Sequence, residues 1–205
     1  MPLEHYTCLD DHRDDFVRGA GILCYHKIGP RPRKAKLRSL YLPEGLFTRQ
    51  IRELREAGFE SRVLGEMGMV SGISSPRVVL TFDDGSVTAF RRGLPILEKH
   101  RFRAIQFLVS GQIGGRNEWD ITHGEVPDRL MDEVMVREWI AAGHEIGAHT
   151  VTHPRLAEIP VGKAREEITA SKKRLEDTFG VPIHHFCYPY GSWNCLLYTS
   201  DAADE

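Results

Sequence analysis

The sequence of 205 residues contains no long hydrophobic run. No window approaches the roughly 18 apolar residues that a transmembrane helix needs, so a membrane span is not expected. The N-terminus, Met-Pro-Leu-Glu-His-Tyr, lacks a basic stretch followed by an apolar one, which argues against a secretory signal peptide. As written, the chain is therefore predicted to act in the cytoplasm.

Positive charge is not in excess either. The chain has 27 Lys and Arg against 29 Asp and Glu, a net charge of −2, which gives no indication of a nucleic-acid partner. Cysteine is sparse, and its four positions show no paired spacing, so neither a disulfide framework nor a cysteine-based structural zinc site is expected. These cysteines are Cys8, Cys24, Cys187 and Cys195. The length favours a single domain, and we expect a monomer.

Apolar segments with strand and helix patterns alternate along the chain. The patterns predict strands at 21–25, 77–82, 104–109, 144–148 and 184–188. They predict helices at 44–57, from Val87 onward with a possible kink at Pro95, at 130–142 and at 163–179. This alternation is typical of a parallel α/β sheet or barrel with right-handed crossovers. Residues 1–20 are expected to form a polar leader before a domain that spans 21–194.

Three polar clusters each follow a predicted strand. They are Asp83-Asp84 within TFDDG, the pair His149 and His153, and the turn Tyr188-Pro189-Tyr190-Gly191. The carboxyl ends of barrel strands open on one face, so these clusters can meet in one pocket. Taken alone, each has an ordinary alternative: an Asp-Asp-Gly turn in a loop, or two surface histidines.

The chemistry of the clusters favours a metal-dependent hydrolase. Two adjacent carboxylates repel unless a cation neutralises them. Histidines four apart on a helical turn would face the same way and could share an ion. Two histidines and one aspartate make a zinc-like ligand set with room for water, and the second aspartate could deprotonate that water. A backbone N–H of the Pro-Tyr-Gly turn could then stabilise an oxyanion.

The motifs TFDDG, HTVTHP and YPYG, in that order, resemble those of the NodB-homology polysaccharide deacetylases, carbohydrate esterase family 4. The resemblance covers about Gly21 to Gly191. It implies a deformed (β/α) barrel with fewer than eight strands. It also implies removal of N-acetyl groups from amino sugars in a polymer, with a divalent metal as cofactor, for which zinc is expected.

The same resemblance assigns roles to individual residues. Asp83 is expected to be the catalytic base, and Tyr190 the residue whose backbone N–H supports the oxyanion. The expected metal ligands are Asp84, His149 and His153. Thr150 fills the position that orients the second histidine.

The chain departs from the family pattern at Cys187, where many members have an arginine that pairs with the base. We expect Cys187 to be a buried strand residue rather than a nucleophile. The later family motifs, which supply a general acid, are not found after residue 191. In members with a permuted motif order, a histidine after the first strand takes that role, which points to His26. The alternative is a structural histidine at a strand end.

Trp119, in the long loop 110–127, could stack on a sugar or only on protein. The segment 195–205 (CLLYTSDAADE) fits no continuing element and resembles a translated sequencing adapter, so we expect a non-native tail and a barrel incomplete at its C-terminus. The alternative is a genuine C-terminus. Two other functions stay open: a non-catalytic carbohydrate-binding relic and an amidase for a small non-sugar substrate.

Overall fold

The computed structural model describes residues 21–61 and 76–194. The predicted leader, 1–20, and the predicted tail, 195–205, lie outside these residues. The strands are β1 (Gly21–Tyr25), β2 (Lys27–Ile28), β3 (Tyr41–Leu42), β4 (Glu60–Ser61), β5 (Arg77–Phe82), β6 (Ile105–Leu108) and β7 (Glu145–Ala148). The helices are α1 (Glu44–Glu56), α2 (Leu94–His100), α3 (Glu133–Ala141) and α4 (Val161–Phe179).

The main sheet is parallel, and the strands along its path follow the order in which they occur in the chain. The path runs β1-β5-β6-β7, and β4 pairs with the start of β5. Strands β2 and β3 form a separate two-stranded parallel pair. A sheet that adds each new strand beside the preceding one is wound in one direction, as in a β/α barrel. This arrangement aligns the carboxyl ends of β1, β5, β6 and β7 on one side.

Strand β5 separates two apolar clusters. Val78, Leu80 and Phe82 belong to the large core that also contains side chains of all four helices. Val79 instead packs with Ile105 and Phe107 on the opposite face of the sheet. Successive strand side chains point to opposite faces, which explains this division. The same alternation directs Asp83, four residues after Val79, toward the face of the smaller cluster.

The predicted strand at 184–188 is wrong as an element. The structure has a single parallel bridge there, between Ala148 and Phe186. The Ala148 N–H donates to the His185 carbonyl at 2.8 Å, and the Cys187 N–H donates to the Ala148 carbonyl at 3.0 Å. Regular pairing ends because Pro189, which lacks an N–H, and Tyr190, with a left-handed φ of 58°, follow immediately. The segment still lies beside β7, where the prediction requires it.

Two helix predictions also need correction. Helix α3 begins at Glu133 rather than at Leu130, because the Asp132 carboxylate accepts the Met135 N–H at 2.9 Å and caps the helix. The helix expected from Val87 does begin there, but it contains a π-helical turn, Ala89–Gly93, before α2. Pro95 is the second residue of α2 and directly follows this π-helical turn. None of the helices in the described ranges is both long and apolar enough to cross a membrane.

Candidate active site and metal centre

One cavity of about 360 Å³ lies at the carboxyl ends of the main strands. All six site residues predicted from the sequence line it. They are His26, Asp83, Asp84, His149, His153 and Tyr190. These residues follow β1, β5 and β7 or belong to the turn after the Phe186 bridge, so the parallel sheet is what brings them together.

Three of these side chains converge on one point. Asp84 Oδ1 lies 3.6 Å from His149 Nε2 and 3.2 Å from His153 Nε2. One ligand atom from each residue lies within 4.8 Å of the other two, and all three residues are buried. An Asp and two His donors at this spacing fit the first coordination shell of a divalent ion such as zinc.

The two histidines do not converge through a helix, as the spacing of four had suggested. No helix covers 149–153, and both Thr150 (φ 68°) and His153 (φ 65°) have left-handed backbones. Asp84 is also left-handed, with a φ of 72°. Residues other than glycine rarely adopt this conformation, and such strain concentrates at functional sites. A strained turn, rather than a helical face, therefore aims both imidazoles at Asp84.

The turn 149–153 is stabilised by hydrogen bonds within the turn and by hydrogen bonds from helix α4. Thr150 Oγ1 accepts the His153 N–H at 3.0 Å, which is the orienting contact expected of Thr150. From α4, Ser171 Oγ donates to the Thr150 carbonyl at 2.9 Å. Glu167 accepts the N–H groups of Val151 at 2.7 Å and Thr152 at 2.9 Å. These contacts fix the backbone between the two histidines.

The sequence analysis missed Glu167 and Ser171. The available signal was the position of polar residues on the buried face of an amphipathic helix. Ser171 lies seven residues after Ala164 and four before Leu175, and all three are buried. A polar residue on such a face needs a partner, and here the partner is the metal-site turn.

His149 is oriented by the chain segment after the Phe186 bridge. Its Nδ1 lies 2.7 Å from the Cys187 carbonyl oxygen. A carbonyl can only accept, so Nδ1 carries a proton and Nε2 is the nitrogen that faces Asp84. Nε2 and the carboxylate oxygen need positive charge between them, which either a proton on Nε2 or a metal ion supplies. The donor set thus fits a metal ion by its chemistry as well as by its spacing.

The pKa values of Asp84 and His149 are shifted in opposite directions by their mutual contact. Burial alone would raise the pKa of Asp84, but hydrogen bonds from His149 and His153 hold it well below its usual range. Burial alone would lower the pKa of His149, but the hydrogen bond to Asp84 and the charges of Asp83 and Asp84 raise it. The site favours a carboxylate paired with positive charge.

Asp83 lines the same cavity but does not belong to this ligand set. Its Oδ2 is 3.9 Å from His26 Nε2, while its Oδ1 is buried without a hydrogen-bond partner in the part of the chain that the structure describes. His26 is partly exposed, with 27% of its side chain accessible. A buried carboxylate oxygen without a hydrogen-bond partner is unusual in a folded protein and costly, which sets Asp83 apart from a structural aspartate.

Aromatic rings form the wall around His153. Trp119 stacks on the His153 ring with centroids 4.4 Å apart and planes 21° apart. Tyr190 meets the same ring edge-on at 4.7 Å, and its hydroxyl donates to Asp120 Oδ1 at 3.0 Å. One face of Trp119 is therefore occupied by protein, which is the packing alternative considered for it. The contact also ties the long loop 110–127 directly to a metal-ligand candidate.

A family model described as polysaccharide deacetylase matches residues 72–203, well over half of the chain. The chain belongs to the polysaccharide deacetylase family. A chitooligosaccharide deacetylase of Sinorhizobium fredii is 27% identical over 134 residues, which cover 64% of this chain and 55% of that protein. The chain spans about half the length of the curated relatives it matches.

Solved structures confirm the predicted α/β fold of the NodB-homology type. IcaB from Ammonifex degensii has a TM-score of 0.75 at 23% identity, covering 90% of this chain and 80% of that one. The deacetylase PplD of Streptococcus pyogenes, solved in complex with acetate, has a TM-score of 0.74 at 22% identity and covers 90% and 79%. At this level of identity, the likeness concerns the fold.

Proposed function

We propose that this protein is a metal-dependent hydrolase that removes N-acetyl groups from a polysaccharide containing N-acetylglucosamine, or from its precursor. The observation that carries the proposal is the convergence of Asp84, His149 and His153 beside a second buried carboxylate, Asp83. Membership of the polysaccharide deacetylase family and the likeness to a chitooligosaccharide deacetylase support the substrate class.

Asp84, His149 and His153 would hold a divalent ion, and their one-oxygen, two-nitrogen donor set suits zinc. When bound, the ion supplies Lewis acidity that polarises the amide carbonyl and lowers the pKa of water. The three residues contribute by fixing its position, because the strained turn and the Cys187 carbonyl leave the imidazoles little freedom.

Asp83 acts as the general base. Its carboxylate takes a proton from the attacking water while a C–O bond forms to the acetyl carbon. The backbone N–H of Tyr190, in its left-handed turn, stabilises the oxyanion. His26, on the other side of Asp83, gives a proton to the nitrogen as the C–N bond breaks. The products are acetate and the free amino sugar.

Neither alternative function is favoured by a specific feature of the site. A carbohydrate-binding relic would have no need for a carboxylate beside the three ligands, yet Asp83 is buried in the same cavity. An amidase for a small substrate would use the same centre, so only a comparison of substrates separates it from the proposed enzyme.

The test is acetate release from N-acetylglucosamine oligomers by the purified chain, stripped of metal and then supplied with zinc. We expect release only with zinc, and slower release from small acetamides that lack a sugar. His149→Ala should abolish both metal binding and release, whereas His184→Ala, which removes an exposed histidine, should change neither. Zinc-bound protein that releases no acetate from the oligomers would contradict the proposal.

A further inference from the structure

Two cysteine side chains flank the carboxylate of Asp83. Cys24 Sγ lies 3.5 Å and Cys187 Sγ 3.4 Å from the same atom, Asp83 Oδ2. Cys24 is on β1 and Cys187 follows the Phe186 bridge, so the two thiols approach from opposite edges of the main sheet. Two thiols on one carboxylate oxygen form a cluster, and the mechanism described above uses neither of them.

The fold explains how this cluster arises. In the pairing of β1 with β5, Cys24 lies beside Thr81, two residues before Asp83. Cys187 packs against Val79, Ile105 and Phe107, the cluster on the inner face of the sheet. Strand alternation therefore directs both sulfur atoms and Asp83 to the same side. The expectation that Cys187 is a buried strand residue is wrong in this respect: Cys187 is half-buried, lies outside a regular strand and contacts Asp83 through its thiol.

The contacts leave the two oxygens of Asp83 in different surroundings. Oδ2 accepts from both thiols and faces His26 Nε2 at 3.9 Å. Oδ1 has no hydrogen-bond partner among the described residues, although it is buried. Donors on one oxygen restrict rotation of the carboxylate about its Cβ–Cγ bond and keep the other oxygen in place.

We propose that Cys24 and Cys187 are positioning residues that hold Asp83 Oδ2 and so fix the orientation of this carboxylate toward the attacking water. The inference rests on the proposed function of Asp83 as general base. Both thiols are suited to donate, because desolvation and the negative charge of Asp83 raise their pKa, even though the residue Cys24 as a whole is exposed. Neither sulfur is expected to act as a nucleophile, since only a thiolate would do so.

The first test is spectroscopic and needs neither metal nor substrate. In a Cys8→Ala/Cys195→Ala background, the two remaining thiols should give Raman S–H stretching bands at the lower frequency of hydrogen-bonded thiols. Asp83→Ala removes the acceptor, so both bands should move to higher frequency. Bands at the same frequency with and without the Asp83 carboxylate would overturn the proposal.

The second test separates a hydrogen bond from simple packing. In the zinc-loaded protein, Cys24→Ala/Cys187→Ala should lower kcat about ten-fold with little change in KM, because a hydrogen bond to a charged group is lost. Cys24→Ser/Cys187→Ser should restore most of the rate, since a hydroxyl also donates. Ile22→Ala, on the same face of β1 without a contact to Asp83, is the packing control and should keep the wild-type kcat.

Serine variants as slow as the alanine variants, or alanine variants as fast as wild type, would contradict positioning. Near-ultraviolet circular dichroism shows whether each variant keeps its tertiary packing. If the wild-type protein releases no acetate, the proposed function fails on that result alone, while the S–H bands still decide whether the thiols hold Asp83.

Discussion

Two buried histidines at opposite ends of β7 have opposite electrostatic surroundings. His144 immediately precedes the strand and His149 immediately follows it. The Nδ1 atom of His144 accepts the Ala104 N–H at 3.1 Å, and burial together with the charge of Arg103 lowers its pKa to about 4. At His149 the hydrogen bond to Asp84 and the neighbouring carboxylates outweigh burial and raise the pKa.

The difference shows how one strand serves both stability and chemistry. At the amino end, a neutral imidazole packs on Trp139 with ring centroids 4.5 Å apart and satisfies a backbone donor. At the carboxyl end, the imidazole faces acceptors and needs positive charge. Active sites of β/α barrels lie at the carboxyl ends of the strands, and the amino ends contribute stability. A change at one end of β7 should therefore leave the properties of the other end unchanged.

The largest effect is expected from Asp84→Ala, which removes the carboxylate that distinguishes the His149 end. Zinc affinity should fall by about a thousand-fold or more, and zinc-dependent acetate release should disappear, because one of three protein ligands is lost. Calorimetric titration of the stripped protein with zinc measures the affinity. His144→Asn is the matched change at the other end of β7, and its zinc affinity should equal that of wild type.

Asp83→Asn tests whether the second carboxylate acts on a proton rather than on the ion. The amide keeps the shape of the side chain but cannot accept a proton, so kcat should fall about a hundred- to ten-thousand-fold. Zinc stoichiometry and affinity should stay within about two-fold of wild type, since Asp83 is outside the ligand set. Unchanged acetate release, or loss of zinc, would exclude the role of base.

The sequence predicted the strands of the main sheet and the partners in the site more accurately than it predicted local backbone shape. Strands β1 and β5 match their predicted bounds, because each is a short apolar run with clear ends. His149 and His153 do share a site, but through a turn with positive φ at two residues rather than through a helix. Spacing indicates that two side chains can meet, but the backbone path between them depends on tertiary contacts such as those from Glu167.

Other features depended on contacts between distant segments, which a pattern along the chain cannot show. Cys24 and Cys187 are 163 positions apart in the sequence and meet only at Asp83. Trp119 meets His153 because the long loop folds back over the cavity. The expected monomer, the cytoplasmic location and the non-native tail at 195–205 stay predictions.

The next effect concerns stability at the His144 end. The folded-state pKa of His144 is about 4, below the ordinary value of 6.5, so the unfolded chain takes up the proton first as pH falls. The contribution of neutral His144 to the free energy of unfolding is complete above pH 6.5 and is lost between pH 6.5 and 4. For a pKa shift of this size the loss is up to about 3 kcal/mol.

Urea unfolding of wild type and His144→Asn, from pH 7.5 down to pH 4.5, measures this contribution as the difference between the two pH profiles. The asparagine side chain can still accept the Ala104 N–H but does not titrate in this range. The free energy of unfolding of wild type should therefore fall more steeply. Parallel profiles would mean that His144 is not held neutral by its surroundings.

The smallest effect is expected from Glu167→Gln, which weakens the support of the turn at the His149 end. The carboxylate accepts two backbone N–H groups and the Thr152 hydroxyl, which lies 2.7 Å from Oε1. A neutral amide accepts more weakly, so zinc affinity should fall about ten-fold, as for other groups that orient metal ligands. Glu166→Gln is the control with the same loss of charge on the preceding residue, whose exposed side chain pairs with Lys163 at 2.9 Å. If both variants weaken zinc binding equally, net charge explains the effect; if only Glu167→Gln does, the geometry of the turn is what sets His149 apart from His144.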